Sequence, residues 1–576
     1  MVFGGRALVK DDLPAEQQDL GAVELAASDA GVGVSAIAQP GSGSRSLAGV
    51  AGLVAVATLL SKGFGFLRQT LIAAIFGSGA EYSAFAVAYV LPGFLLILLG
   101  GINGPFHSAI VSVLKKWRPG QQPDQDTAPD PSVWLESIAT LVGILLCGVA
   151  IGLIVGADPL VRLIAPGASD AVHQLAAVQL RIMAPLALLS GLIGIGFGAL
   201  NAAEHFVLPA LSPLLSSATV IGVLVLFGWT RNPYLLAWGV VTGAVAQWVA
   251  QIPLQSRLGL GRPRLRFNWG SPAVKTVGLL MLPAVISSGM IHINVYVDMF
   301  FASFLPGDRT IGNLGYAQLL VQTPLGILSN MVLVPLMPLY ARLAMPDSWP
   351  EFRHRIRQGL IVTAILILPV SMLLTVLARP IVQVAYERGR FSSEITLEVA
   401  ALLSAYGIGM LFYLLRDVVV RIFYALEDGR TPLLVSGLAI GFNALFDWLL
   451  VDAFGAPGLA LATAGVNGVA LVVLAIALER RLHPLPWGSI LRILGLLIAL
   501  TGISGALTLG IWWGWGAGIG QETLLKTIAG ASLAGLVGIS SYGWGVSQIG
   551  IPEVDEVAQR LASIYGKLPL LHRGSR

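Results

Sequence analysis

Two cations stand inside an apolar stretch of this chain. Lys62 and Arg68 lie within the run from 48 to 77, with Gly63 and Gly65 beside them. A charge at the centre of a membrane helix costs about 2.5–3.5 kcal/mol on insertion scales, so it must face a cavity or a partner. On a helix, their spacing places them roughly 9 Å apart along the axis and roughly 240° around it. They therefore suit different depths of one wide cavity rather than a narrow stripe. Two fixed cations in a low-dielectric cavity attract an anionic head group.

Other charges fall in apolar runs: Arg181, Asp298, Arg416, Asp417, Arg421 and Asp447. Asp417 and Arg421, four apart, can pair on one helix face. Arg416 and Arg421 join Lys62, Arg68 and Asp298 as candidate substrate-binding residues, with snorkelling to the interface as the equal alternative for the two arginines. Arg181 and Asp447 lie near expected helix ends, which favours the interface for both. There is no P-loop, no HExxH and no nucleophile elbow. Seven histidines show no metal-ligand spacing, and the single Cys147 permits no internal disulfide. The expectation is a non-enzyme without cofactor, resident metal or nucleic-acid partner. ATP hydrolysis in this chain cannot power any transport.

The elements that carry these residues follow from composition. Of 576 residues, 55% are hydrophobic and only 11% charged, against about 25% charged in soluble proteins. A membrane helix needs about 20 apolar residues, and fourteen such segments follow one another between 48 and 547. Residues 1–45 lack an apolar run and read as a disordered tail. Loops on the N-terminal side hold sixteen basic residues and the opposite loops seven. That bias places both termini in the cytoplasm.

A weak repeat is also present. Asp158-Pro-Leu-Val-Arg-Leu, a long apolar run and Pro209 parallel Arg379-Pro-Ile-Val-Gln-Val, a long apolar run and Pro432. Six helices separate the copies, so both point the same way. The expected fold is an all-α polytopic membrane protein with two six-helix lobes, 46–255 and 256–485. Two extra helices follow at 486–548, then a cytoplasmic tail at 549–576. Substrate sites in such repeats lie between the halves near the midplane.

The motifs around these charges resemble a known family. Leu60-Ser-Lys-Gly-Phe-Gly-Phe-Leu-Arg68, then Ile75-Phe76-Gly77, is similar to the first helix of the MurJ/MviN lipid II flippases. So are Ala84-Phe-Ala-Val-Ala-Tyr-Val-Leu-Pro92 in the second helix, and Asp298, Tyr316-Ala317 and Pro324-Leu325-Gly326 in the seventh and eighth. Glu387-Arg-Gly-Arg-Phe-Ser392 and the segment from Arg421 to Pro432 resemble the links after helices nine and ten. The resemblance implies the fold of the MOP exporter superfamily around a cationic cavity. It implies movement of lipid II from the cytoplasmic to the outer leaflet of the inner (plasma) membrane by alternating access. A coupling ion or the membrane potential would drive it. Gly63, Gly65, Pro92 and Pro324 become candidate gate or hinge positions.

The chain departs from the family pattern at Lys62, where Arg is usual, and at Ser83, where an acid is usual. Apolar Phe94–Leu98 stands where basic residues are typical, Met299 stands where Arg is frequent, and Gln318-Leu319 replace a common polar-basic pair. The thinner charge leaves open another polyprenyl-linked glycan, a small-solute or drug antiporter, or a scaffold for cell-wall enzymes.

Overall fold

A computed structural model describes residues 47–101, 131–267, 293–520 and 523–550, together with 107, 110, 111 and 114. Among them every regular element is helical. The first lobe contains α1 (Leu47–Phe76), α2 (Ala80–Gly100), α3 (Pro131–Val155), α4 (Ala157–Ile164), α5 (Asp170–Met183), α6 (Leu186–Ala202), α7 (Val207–Phe227) and α8 (Leu235–Arg257). The second contains α9 (Ile293–Ala302), α10 (Thr310–Leu343), α11 (Trp349–Val376), α12 (Ala378–Tyr386), α13 (Ser393–Ala425), α14 (Arg430–Phe454) and α15 (Ala456–Leu482). The helices α16 (Trp487–Gly518) and α17 (Leu524–Gln548) complete the chain.

Thirteen helical stretches are long and apolar enough to cross a bilayer, and α9 is a shorter apolar helix in the expected seventh position. The earlier part of that seventh segment lies outside the described residues, as do 1–45 and 551–576. Lipid-facing exposure is plain: Val155, Trp229, Leu434, Leu525 and Trp544 all stand more than half exposed. Water would penalise such a surface; hydrocarbon does not.

Within the first lobe α1 packs on α7, α7 on α8, and α2 on α5 and α6. Within the second, α13 is central and packs on α10, α11 and α15. The last pair packs on itself and on α11 and α12. We call the side where α1 begins proximal and the other distal. The loop 258–267 is proximal and the loop 387–392 distal, so reporters fused at Arg264 and Arg388 should report opposite sides of the membrane. The same side for both would break the alternation of helices.

Two helices expected as continuous, the fourth and the ninth, are broken. The fourth breaks at Ala184-Pro185, where the proline ring removes a helical hydrogen bond and fixes φ. The ninth ends in a short distal helix, α12, and the third is followed by another, α4. These short helices are the two copies of the repeat. Each leads into a glycine-containing loop, Gly167 or Gly389, and then into a serine cap. Ser169 Oγ accepts from Val172 N at 3.3 Å and Ser392 Oγ from Ile395 N at 3.4 Å. Capping by Ser satisfies a backbone donor that the first turn leaves open. Pro209 and Pro432 each stand third in their helices, α7 and α14.

Candidate functional site

The helix α1 carries both cations without interruption. Lys62 is exposed and reaches toward the second lobe: a Cβ on Gly326 of α10 would lie 3.9 Å from its Nζ. The Pro324-Leu325-Gly326 motif thus places its side-chain-free residue opposite Lys62. Arg68 is half-buried, with Nε buried and without a partner among the described residues. Tyr82 and Tyr89 of α2 lie within its electrostatic reach. The neighbouring Gln69 Nε2 donates to Tyr82 Oη at 2.6 Å. Arg68 stands eight residues short of the distal end of α1, roughly 12 Å below it. Gly63 and Gly65 have open space where a Cβ would sit, and α1 is one helix across both. Pro92 and Pro324 likewise sit inside continuous helices, α2 and α10.

Above Arg68 the two lobes meet. Tyr82 of the first lobe stacks on Tyr316 of the second at 4.5 Å, and Tyr316 contacts Tyr386 at 5.0 Å and Phe391 at 5.2 Å. Tyr316 Oη donates to Gly77 O at 2.7 Å, and Thr70 Oγ1 to Ala385 O at 3.2 Å. Arg390 N donates to Ala74 O at 2.9 Å, while Arg390 Nη1 pairs with Glu81 at 2.7 Å. The loop of the other repeat copy does the same in mirror fashion: Gly167 N donates to Ser303 Oγ at 3.0 Å. Ser83 bridges the lobes, donating to Asp308 O and accepting from Gly312 N at 3.2 Å. An acid there would repel the Asp308 carbonyl oxygen; the hydroxyl serves both partners. The distal side is therefore sealed, and the two cations lie on its proximal side.

Asp298 is not beside these cations. It is 4% exposed, on α9, and accepts from Asn443 Nδ2 at 2.8 Å. The same amide donates to Asp447 at 3.0 Å. Asp298 is also within hydrogen-bonding reach of Asp447 and Thr463. Asp447, expected at the interface, is instead completely buried. The oxygens Asn443 Oδ1 and Asp447 Oδ1 find no partner among the described residues. Two adjacent carboxylates repel unless a proton or cation lies between them. The set of carboxylate, amide and hydroxyl oxygens is the type that hard cations take. Asn443 and Asp447 are i,i+4 on α14, a spacing that could have revealed the cluster in the sequence.

The tenth-helix arginines are held separately. Arg416 Nη1 donates to Asn467 Oδ1 at 2.8 Å, and its guanidinium stands 5.5 Å from the Tyr413 ring centre. Arg421 is half-buried, with Nε unpartnered among the described residues. It forms no ion pair with Asp417 among the described residues, so the i,i+4 pair read from spacing is absent. Arg181 pairs with Asp158 at the distal surface, as an interfacial residue can. The motif ending in Pro432 turns out to be a cap. Asp428 accepts from the backbone of Arg430 and Thr431, both at 3.1 Å, and pairs with Arg481 at 3.0 Å. The Thr431 N–H, chiefly, holds its carboxyl below the usual range.

An apolar groove of about 660 Å³ opens beside this arrangement. Phe66 of α1 and Leu320 of α10 form one end, and Ile381, Ile528 and Leu536 line its course to α17. The last helix, α17, outside the repeat, builds its outer wall.

Comparison with known proteins agrees with this geometry. A family profile described as "Lipid II flippase MurJ" matches residues 72–521. A Synechocystis protein named probable lipid II flippase MurJ is 47% identical over 540 residues, covering 90% of this chain and 98% of that protein. A Rhizobium meliloti protein of the same name is 31% identical, covering 79% and 85%. A solved structure of lipid II flippase MurJ in an inward closed conformation superposes with TM-score 0.69 at 22% identity, covering 86% and 98%. An inward-facing multidrug MATE transporter of the MOP superfamily gives 0.60 at 15% identity, covering 75% and 95%. By fold and by sequence, this multi-pass membrane protein belongs to the MurJ lipid II flippase family.

Proposed function

We propose that this chain moves lipid II from the proximal to the distal leaflet by alternating access between its two lobes. The observation that carries the reading is the placement of Lys62 and Arg68 on one helix beneath a distal seal. A diphosphate entering from the proximal side meets Lys62 first and Arg68 at the apex. The groove from Phe66 to α17 suits the polyprenyl chain, which can stay in an apolar environment while the head group crosses. Reconstitution tests this directly: purified protein in vesicles should expose added lipid II to an impermeant reagent on the far side. Protein that inserts normally yet leaves lipid II on one leaflet would defeat the reading.

The proximal side is the cytoplasm of a plasma-membrane protein in this proposal, in keeping with the basic residues of the proximal loops. The buried pair Asp298 and Asp447 is the coupling element, taking a proton or a cation between its oxygens. Its burial and sign turn it away from direct contact with an anionic head group. Occupancy that differs between the two lobe arrangements would bias transport, since a ligand shifts an equilibrium only by its differential affinity. Asp447→Asn keeps the shape and removes the charge. It should lower translocation about tenfold or more, within the usual range of coupling energies, and abolish its dependence on an ion gradient. Unchanged gradient dependence in a well-folded Asp447→Asn would remove the cluster from the mechanism.

A further inference from the structure

A second cavity lies on the flank of the first lobe, away from the seam. It measures about 410 Å³ and is walled by α3, α6, α8 and the proximal loop 258–267. No residue of α1 or α2 lines it. One end is polar, with Glu136, Thr140, Gln255, Arg262 and Arg264. The other is apolar, with Ile144, Cys147, Leu188, Leu192 and Trp248. From Glu136 to Cys147 the helix rises roughly 16 Å, about half of a hydrocarbon core of about 30 Å. The cavity therefore runs from the proximal interface to the middle of the bilayer, the depth of one leaflet.

The charge at its mouth is fixed in place. Glu136 is 7% exposed and accepts from Arg262 N at 2.9 Å, and Arg266 Nε approaches it at 3.3 Å. Arg266 N donates to Thr140 Oγ1 at 2.9 Å, which ties the loop to α3. The one acid is thus already neutralised. The side chains of Arg262 and Arg264 are exposed and pair with no acid among the described residues. An amphipathic slot, one leaflet deep, with two free guanidinium groups at the interface, matches an anionic glycerophospholipid. Its phosphate belongs at the arginines and one acyl chain in the slot. Basic pockets between membrane helices on the positive side are built for such head groups.

We propose that this slot is a binding site for an anionic glycerophospholipid of the proximal leaflet, separate from the substrate path. Trp248 provides the test, with Trp248→Phe subtracted to isolate its emission. Full-length protein is placed in vesicles of phosphatidylcholine containing a minor fraction of lipid with brominated acyl chains. Brominated phosphatidylglycerol should quench Trp248 with an apparent affinity about fivefold or more above brominated phosphatidylcholine, about fivefold being the effect of one interfacial arginine. Arg262→Ala/Arg264→Ala should bring that ratio to near one, while Arg262→Lys/Arg264→Lys keeps most of it. Equal quenching by the two lipids in the native protein would overturn the proposal. So would a preference that the double alanine variant retains. Displacement by stoichiometric undecaprenyl diphosphate would also overturn it, by giving the slot to the substrate.

Discussion

Arg68→Ala is expected to abolish lipid II translocation while leaving the protein inserted and folded. The guanidinium sits at the apex of the proximal space, under the tyrosine seal, and its buried Nε has no partner among the described residues. A diphosphate drawn to this depth loses water on most sides and needs a fixed cation in its place. Arginine can hold two phosphate oxygens at once through its planar fork. Truncating one side of a desolvated charge pair costs about 2–5 kcal/mol, so the loss is about thirtyfold at the least. Insertion should not suffer, because removing an intramembrane charge favours the helix in lipid. Arg68→Lys should keep part of the activity, and Lys62→Ala should impair it less than Arg68→Ala. The measurement is lipid II accessibility in vesicles at matched protein content, with thermal unfolding as the folding control. Full translocation by Arg68→Ala would end the cationic-apex mechanism.

How much of this was readable from the chain depends on the range of the interaction. Helix count and the two-lobe repeat were legible, because hydropathy is a local property that the bilayer enforces. The repeat shows in Asp158-Pro and Arg379-Pro, but spacing alone does not reveal that both begin short distal helices. Lys62 and Arg68 announced themselves as charges without local compensation. Asp298 did too, yet its partners Asn443 and Thr463 sit on other helices, so only the fold brings them together. The distance of Asp447 from a helix end suggests the interface; packing of α14 on α15 buries it instead. Burial is a tertiary property, and the position of a residue along its own helix does not determine it. The same limit hid the groove along α17, since nothing in α16 or α17 repeats the lobes.

The distal seam shows the same limit most clearly, because two motifs far apart in the chain touch there. Gly77 ends α1 and Gly389 follows α12, and both hold positive φ, +64° and +61°. A Cβ on Gly389 would stand 2.2 Å from Ala74 O, and one on Gly77 would stand 2.8 Å from Arg390 O. Each glycine thus lets one lobe's backbone lie directly on the other's. Gly389→Ala places a methyl group against a main-chain carbonyl, which no rotamer change can relieve. Left-handed φ adds about 1–2 kcal/mol for a residue with a Cβ. The strain can be present in both lobe arrangements, but the overlap with Ala74 exists only when the distal side is closed. Gly389→Ala should therefore shift the population toward distal opening and cut translocation about tenfold or more, by the arithmetic of population shifts. Spin labels on Trp229→Cys and Phe454→Cys, in a Cys147→Ser background, report the separation of the distal ends. Both sites are exposed and lie in different lobes. The distance distribution should lengthen in Gly389→Ala and stay unchanged in Gly441→Ala, where a Cβ meets nothing within 4 Å. An unchanged distribution together with native translocation in Gly389→Ala would show that this contact does not hold the seam.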